Sequence, residues 1–154
     1  MRHPQSWMLG YGSKNDMDTI RILPFTFLIL FAGHAHAAKS IENLIDIQIP
    51  VYVDGTYPSL DVVRAAIISG CSKRGWTPVL DGENKIVASI LVRSKHYAEI
   101  EIPYSDREYS ILYKASKNLN YNAEKRKIHR NYNKWVVMLS SSIQRELGIR
   151  SQGY

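Results

Sequence analysis

The clearest feature of the chain is an alternation of apolar and polar side chains in several short stretches. Ala98, Ile100 and Ile102 alternate with the acidic residues Glu99 and Glu101. Side chains along a strand point to opposite faces in turn, so a period of two indicates a strand with one buried and one wet face. The predicted strands cover residues 45–49, 76–80, 86–92, 97–102 and 109–114.

Two other segments have apolar residues at spacings of three and four, which is the period of an amphipathic helix. The first helix is predicted over residues 60–74, with Ser59 as its N-cap and Gly75 after its end. The closing helix is predicted over residues 132–147 and ends at Gly148. The predicted apolar stripe of the first helix consists of Val62, Val63, Ala66, Ile67, Gly70 and Cys71.

Turn chemistry between these segments indicates how they connect. Asp81-Gly82 is a hairpin signal, and a second turn is predicted over residues 103–106. Residues 115–131 are polar and rich in Asn and Lys, and we expect a long ordered loop there. The predicted fold is α+β, with an antiparallel sheet of four or five strands and two helices packed on one face. Its predicted element order is β-α-β-β-β-β-α.

The N-terminal region has the pattern of a secretory signal peptide. The apolar run over residues 22–32 is preceded by Arg21 and followed by Ala35-His36-Ala37, with small residues at the positions that a signal peptidase requires. Spanning a bilayer needs about 20 apolar residues, so this run is too short for an anchor. We therefore predict cleavage after Ala37, translation from Met17, and a single mature domain over residues 38–154. This product would be periplasmic or secreted, without a transmembrane helix; the alternative is an uncleaved form tethered to the membrane.

Composition excludes several other classes of protein. The chain has 154 residues, of which 45% are apolar, and one cysteine, so it can be neither a disulfide scaffold nor a thiolate metal cluster. Cys71 lies on a predicted apolar stripe, and we expect it to be buried and inert. His96 and His129 are not at the spacing of a metal motif, and no catalytic motif is present. We therefore predict no metal, no cofactor and no enzymatic activity.

The positive charge of the predicted mature domain is concentrated in one segment. Residues 38–154 contain 17 basic and 12 acidic residues, a net charge of +5. Residues 114–134 alone contain seven basic residues and one acid, Glu124. Such a segment attracts anions, and those of the cell envelope are peptidoglycan carboxylates, lipopolysaccharide phosphates and phospholipid headgroups. It can equally be a solvated loop that keeps the protein soluble.

Aromatic and amide side chains are interleaved with these cations. Flat rings stack on the apolar faces of sugars or bases, and neighbouring amides bond hydroxyl groups. We expect Tyr121 and Tyr132 to be exposed, whereas Trp135 follows the apolar stripe of the closing helix and belongs to the core. The candidate binding surface consists of Tyr121, Lys125, Arg126, Lys127, His129, Arg130, Asn131 and Tyr132.

A set of short motifs in the C-terminal half gives the chain a family resemblance. They are IPYS at 102–105, YSILY at 109–113, Ser116, NLNY at 118–121, IHRNYN at 128–133, Trp135, Leu139, Ile143 and Leu147. The chain resembles, over residues 57–147, a family of small exported proteobacterial proteins, many of them labelled as lipoproteins. The resemblance implies export and the limits of the domain, and it implies no particular activity. The cysteine that accepts the lipid in a lipoprotein is missing after the predicted leader.

Three functions follow from these patterns. The first is an exported module of the cell envelope that binds or stabilises an anionic component through the basic segment. The second is a small hydrolase of cell-wall glycan or nucleic acid that uses His129 with Glu99 or Glu101. Those two carboxylates lie on one face of a strand, about 7 Å apart by the strand rise. The third is an adaptor whose periplasmic protein partner docks on an exposed sheet edge.

Overall fold

A five-stranded antiparallel sheet and two helices form the main body of residues 38–148, which are the part of the chain that the computed structural model describes. The predicted leader, its start at Met17 and the last six residues lie outside this range. The helices are α1 (Leu60–Lys73) and α2 (Asn131–Glu146). The strands are β1 (Ala38–Ser40), β2 (Leu44–Gln48), β3 (Thr77–Leu80), β4 (Lys85–Val92), β5 (His96–Pro103), β6 (Glu108–Lys117) and β7 (Lys127–His129).

The strands form two antiparallel sheets, and this arrangement confirms the α+β class. The main sheet has the order β2-β6-β5-β4-β3, and a small second sheet pairs β1 with β7. Strands β3 to β6 are connected in sequence as a meander, with the predicted turns at Gly82 and at residues 103–106. Gly82 has a φ of +85°, a conformation that glycine adopts without steric cost.

The hydrophobic core lies between one face of the main sheet and the two helices. Alternate residues of β4 and β5, such as Ile86 and Ile100, point inward and are fully buried. Leu139 and Ile143 of α2 pack against the same cluster. An added Cβ at Gly70 of α1 would lie 2.7 Å from Cγ1 of Ile143, so a side chain at this position would force the two helices apart.

The first helix begins and ends almost as its sequence pattern predicts. The Ser59 hydroxyl accepts a hydrogen bond from the Val62 amide at 3.3 Å, and Gly75 follows the end of α1 with a φ of +75°. Val62 itself is 44% exposed, so its predicted place on the buried stripe is wrong. The buried stripe is set by Val63 and Ile67, and Val62 lies about 100° away from Val63 around the helix axis.

Strand β2 departs from its predicted alternation at Ile45, which is 56% exposed. The register with β6 shifts between Leu44 and Ile47, and Asp46 has a φ of +50°. The Asp46 amide donates to the Ser110 hydroxyl at 2.9 Å instead of continuing the ladder. This bulge turns Ile45 outward, because an extra residue in a strand reverses the side-chain alternation that follows it.

The long loop predicted over residues 115–131 is wrong at both ends. Strand β6 continues to Lys117, and residues 127–129 form β7, which pairs with β1. The connection that is left spans residues 118–126, and Asn122 and Lys127 exchange backbone hydrogen bonds of 2.8 and 3.1 Å. Periodicity could not reveal β7, because three residues are too few to show alternation.

Within residues 38–148, neither helix combines the length and the apolar character needed to cross a bilayer.

Candidate functional site

Tyr132, predicted as an exposed contact residue, is instead fully buried, and this part of the predicted surface is wrong. Its ring meets the Tyr113 ring edge-on, with centroids 5.5 Å apart. The Tyr132 hydroxyl has no hydrogen-bond partner among the described residues, and burial raises its pKa. The charged neighbours Arg130 and Lys134 suggested exposure, but Tyr132 is four residues before Val136 and shares its inward face of α2.

The other predicted residues are divided between four places. Tyr121 is 40% exposed and its ring lies 4.7 Å from the Tyr113 ring. Lys125, Arg126 and Lys127 are exposed in what we call the basic hairpin, residues 122–127, in which the Asn122 side chain accepts a hydrogen bond from the Lys125 amide. Trp135 is partly buried against the core, close to its predicted position.

His129 and Asn131 line a concave surface together with residues from the distant β4–β5 turn. This surface, the polar hollow, has a volume of about 480 Å³. All of its lining side chains are basic, imidazole or amide groups: Arg93, Lys95, His96, Asn118, Asn120, His129 and Asn131. None of the described residues that line it is acidic. An anion in this hollow is therefore attracted by at least two fixed positive charges.

The polar hollow is held in shape by hydrogen bonds between its two walls. The Asn118 amide group donates to the backbone carbonyl of Lys95 at 2.8 Å. In return, Nδ1 of His96 lies 2.7 Å from the backbone carbonyl of Asn118. The turn residues Arg93 and Ser94 have φ values of +53° and +51°, and Asn118 has +58°. Left-handed residues other than glycine are uncommon, and the cross-wall hydrogen bonds hold Asn118 in this conformation.

Each of the two histidines has a backbone partner at Nδ1. A carbonyl oxygen only accepts, so Nδ1 of His96 carries the proton, and in the neutral ring Nε2 is an acceptor. The Asn131 amide donates to Nδ1 of His129 at 3.3 Å, so the neutral His129 ring carries its proton on Nε2. The polar hollow therefore contains hydrogen-bond donors and acceptors from its imidazole and amide groups, and cations from Arg93 and Lys95.

Glu99 and Glu101 lie on the face of the main sheet that is turned away from the core, and they interact there with other residues. Lys114 Nζ lies 3.0 Å from Glu99 and 3.7 Å from Glu101. The Tyr97 hydroxyl donates to Glu99 at 2.6 Å, and this bond, with Lys114, lowers the pKa of Glu99. Glu99 lines a different concave surface, of about 390 Å³, to which His129 does not contribute. The predicted pairing of His129 with these carboxylates is therefore not assembled in one cleft.

Cys71 is fully buried in α1, as its position on the apolar stripe predicts. Burial raises the pKa of its thiol to about 12, which keeps the sulfur protonated and unreactive at neutral pH. Among residues 38–148, no group of three or more His, Cys, Asp or Glu side chains is arranged to hold a metal ion.

Arg130 belongs to a separate concave surface, which shares no lining residue with the polar hollow. We call it the α2 groove; it has a volume of about 520 Å³. It is lined by Lys39, Glu42, Arg130, Asn133, Lys134, Val137 and Met138. The residues of the predicted binding surface are thus divided, with His129 and Asn131 in the polar hollow and Arg130 in the α2 groove.

Sequence reasoning missed Arg93 and Lys95, which supply the fixed charge of the polar hollow. The signal that could have found them is topological. Strand β6 runs antiparallel to β5, and its end at Lys117 pairs with Tyr97. The start of the 118–126 connection must therefore lie beside the β4–β5 turn.

Comparison of the chain with family models, with curated proteins and with solved structures gives no match.

Proposed function

We propose that this protein is a non-enzymatic binding module of the cell envelope that holds an acidic glycan in the polar hollow. The observation that carries the proposal is the composition of that hollow. Two fixed cations, two imidazoles and three amides converge in about 480 Å³, which is the size range of small-molecule sites. Every side chain in the lining ends in a charged, imidazole or amide group, so the hollow suits a ligand rich in polar groups.

An acidic sugar matches this set of groups. Arg93 and Lys95 would neutralise a carboxylate or phosphate, since charge-assisted hydrogen bonds are the strongest ones available on a surface. The asparagine amides offer a donor and an acceptor each, which is what a row of hydroxyl and acetamido groups requires. Among envelope anions, peptidoglycan combines sugars with carboxylates, and it is the ligand class that we propose.

The location in the envelope rests on the leader-like pattern of residues 17–37 and on the resemblance to small exported proteins. The basic hairpin has a supporting role in this proposal. Its lysines raise the local concentration of an anionic polymer and accelerate encounter, and they make no contact inside the hollow.

Sedimentation with purified peptidoglycan sacculi, at low and raised salt, tests the proposal. The exported protein should be retained on sacculi, and raised salt should weaken the retention. The site variant is Arg93→Glu with Lys95→Glu. The matched control is Lys125→Glu with Lys127→Glu, which changes the net charge by the same amount outside the hollow. Retention that is equally weak in both variants would contradict a specific site, as would retention on lipopolysaccharide vesicles alone.

A second candidate function, a protein–protein adaptor, is favoured by the edge strand β3. Val79 and Leu80 are 62% and 55% exposed there, and an edge strand offers unpaired backbone groups to a partner strand. This function predicts that a defined envelope protein co-purifies with the chain and is lost in Val79→Lys. The sacculus experiment separates the two candidates, because an adaptor has no reason to be retained on bare glycan.

A further inference from the structure

The α2 groove differs from the polar hollow in having apolar side chains in its lining. Val137 and Met138 are each 47% exposed there, on the outer face of α2. The buried face of the helix carries Val136 and Leu139, so Val137 and Met138 add nothing to the core. Two adjacent apolar side chains on the outer face of an otherwise amphipathic helix are a feature that packing does not explain.

One wall of the α2 groove is fixed to the helix by a buried amide. Asn133 is 5% exposed, and its side-chain amide donates to the Ser40 carbonyl at 2.7 Å. Its Oδ1 accepts a hydrogen bond from the Glu42 amide at 3.2 Å. These two bonds attach the segment after β1 to the first turn of α2, so the groove is a built feature of the fold.

The lining of the groove is also basic. Lys39, Arg130 and Lys134 line it together with the apolar pair, and Glu42 is the one acid among the described lining residues. The first turn of α2 contains no acidic residue that would offset the positive end of the helix dipole. The dipole therefore adds to the positive potential of the groove. The complementary partner therefore carries a negative charge next to an apolar group.

We propose that the α2 groove binds an anionic phospholipid at a membrane surface, with the headgroup at Lys39, Arg130 and Lys134 and part of an acyl chain against Val137 and Met138. Two aliphatic side chains are a small apolar contact for a protein partner, whose interface centres on larger buried anchors. Val137 and Met138 are a suitable contact for a single acyl chain of a lipid. This proposal does not depend on the glycan site, because the two surfaces share no lining residue.

Flotation with phosphatidylcholine vesicles, with and without phosphatidylglycerol, tests this site. The exported protein should float with the anionic vesicles and stay behind with the neutral ones. Lys39→Glu with Lys134→Glu should weaken flotation at least about 25-fold, at about fivefold per basic residue removed from an anionic surface. The charge-matched control, Lys125→Glu with Lys127→Glu, should weaken it less.

The apolar part of the site has its own variants. Val137→Thr with Met138→Gln should weaken flotation, whereas the same exchange at two exposed apolar residues of β3, Val79→Thr with Leu80→Gln, should not. Soluble glycerol phosphate should fail to displace the protein from vesicles, because it has no acyl chain. All variants should keep the thermal unfolding midpoint of the parent, since the exchanged side chains are exposed.

Three results would overturn the lipid site. Equal flotation on neutral and anionic vesicles would contradict a contact between the basic residues and an anionic headgroup. Equal losses of flotation in the groove variant and in the charge-matched control would mean that flotation depends only on the overall charge of the protein. Absence of flotation, together with self-association that Val137→Thr with Met138→Gln abolishes in sedimentation velocity, would identify a second copy of the chain as the occupant.

Discussion

The polar hollow and the α2 groove both take lining residues from the segment at the start of α2, yet they are built in different ways. The hollow is assembled from two turns that are distant in sequence, held by hydrogen bonds between Asn118 and the β4–β5 turn. The groove is made from regular elements, with Asn133 joining α2 to the segment after β1. The hollow is lined only by polar and charged residues, whereas the groove also has Val137 and Met138 in its lining. Two surfaces with similar positive charge therefore differ in polarity, which is why we propose a different ligand for each.

Charge reversal in the hollow should have the largest effect and should separate the two surfaces. Arg93→Glu with Lys95→Glu removes two charge-assisted contacts, each worth about 1.5–3 kcal/mol, so glycan retention should fall on the order of a hundredfold or more. Flotation with anionic vesicles should change far less. Sedimentation and flotation of the same preparation measure both. Parallel losses in the two assays would mean that the two surfaces are one electrostatic patch.

Removal of the Asn133 side chain should loosen the groove and leave the hollow intact. Asn133→Ala leaves the Ser40 carbonyl and the Glu42 amide without their partner, at a cost of about 1–3 kcal/mol in the free energy of unfolding. Urea denaturation measures this cost, and flotation should weaken severalfold. Unchanged stability would mean that water replaces the amide and that the groove wall is not fixed by it.

A smaller effect is expected from Asn118, which supports the hollow through both its backbone and its side chain. Asn118→Ala should destabilise the protein by about 1–2 kcal/mol, because it removes a hydrogen bond and places in the left-handed region a residue that tolerates this conformation less well than Asn. Asn118→Gly keeps the backbone conformation and should cost less in urea denaturation. Glycan retention should weaken in both variants. A glycine variant less stable than the alanine variant would contradict the role of the left-handed backbone.

Substitution of Glu99 should have the smallest effect. This residue lies outside both the polar hollow and the α2 groove. Its pKa is lowered from 4.5 by the Tyr97 hydroxyl and by Lys114, so its contribution to stability is present above that value and is lost as pH falls through the lowered pKa. Glu99→Gln should cost less than about 1 kcal/mol at neutral pH, and the difference should vanish in acid. Urea denaturation across pH measures it. A loss of glycan retention in Glu99→Gln would favour a hydrolytic or sheet-face site instead.

The fold was predictable from sequence where its elements are long and regular. Alternation found β4 and β5, and the spacing of Val63 and Ile67 with a Ser59 cap found α1. The short strands β1 and β7 were missed, because three residues carry no period and their pairing joins segments about 90 residues apart. The bulge at Asp46 was missed for the related reason that its stabilising contact, with Ser110, is tertiary.

Prediction of the site was more limited. Of the residues that the charge count singled out, His129, Arg130 and Asn131 line concave surfaces. Composition could not indicate that Tyr132 points inward, since the inward face of a helix is fixed by its register against the core. Nor could it bring Arg93 and Lys95 to this segment, because that contact follows from the pairing of β5 with β6.

The most direct test of the glycan site is an NMR titration of the isotope-labelled protein with a soluble acidic muropeptide. Amide resonances of Lys95, His96, Asn118 and Asn131 should shift in a saturable way, while those of Val137 and Met138 should stay in place. Shifts confined to the α2 groove or to the basic hairpin, or no saturable shift at all, would contradict a glycan site in the polar hollow.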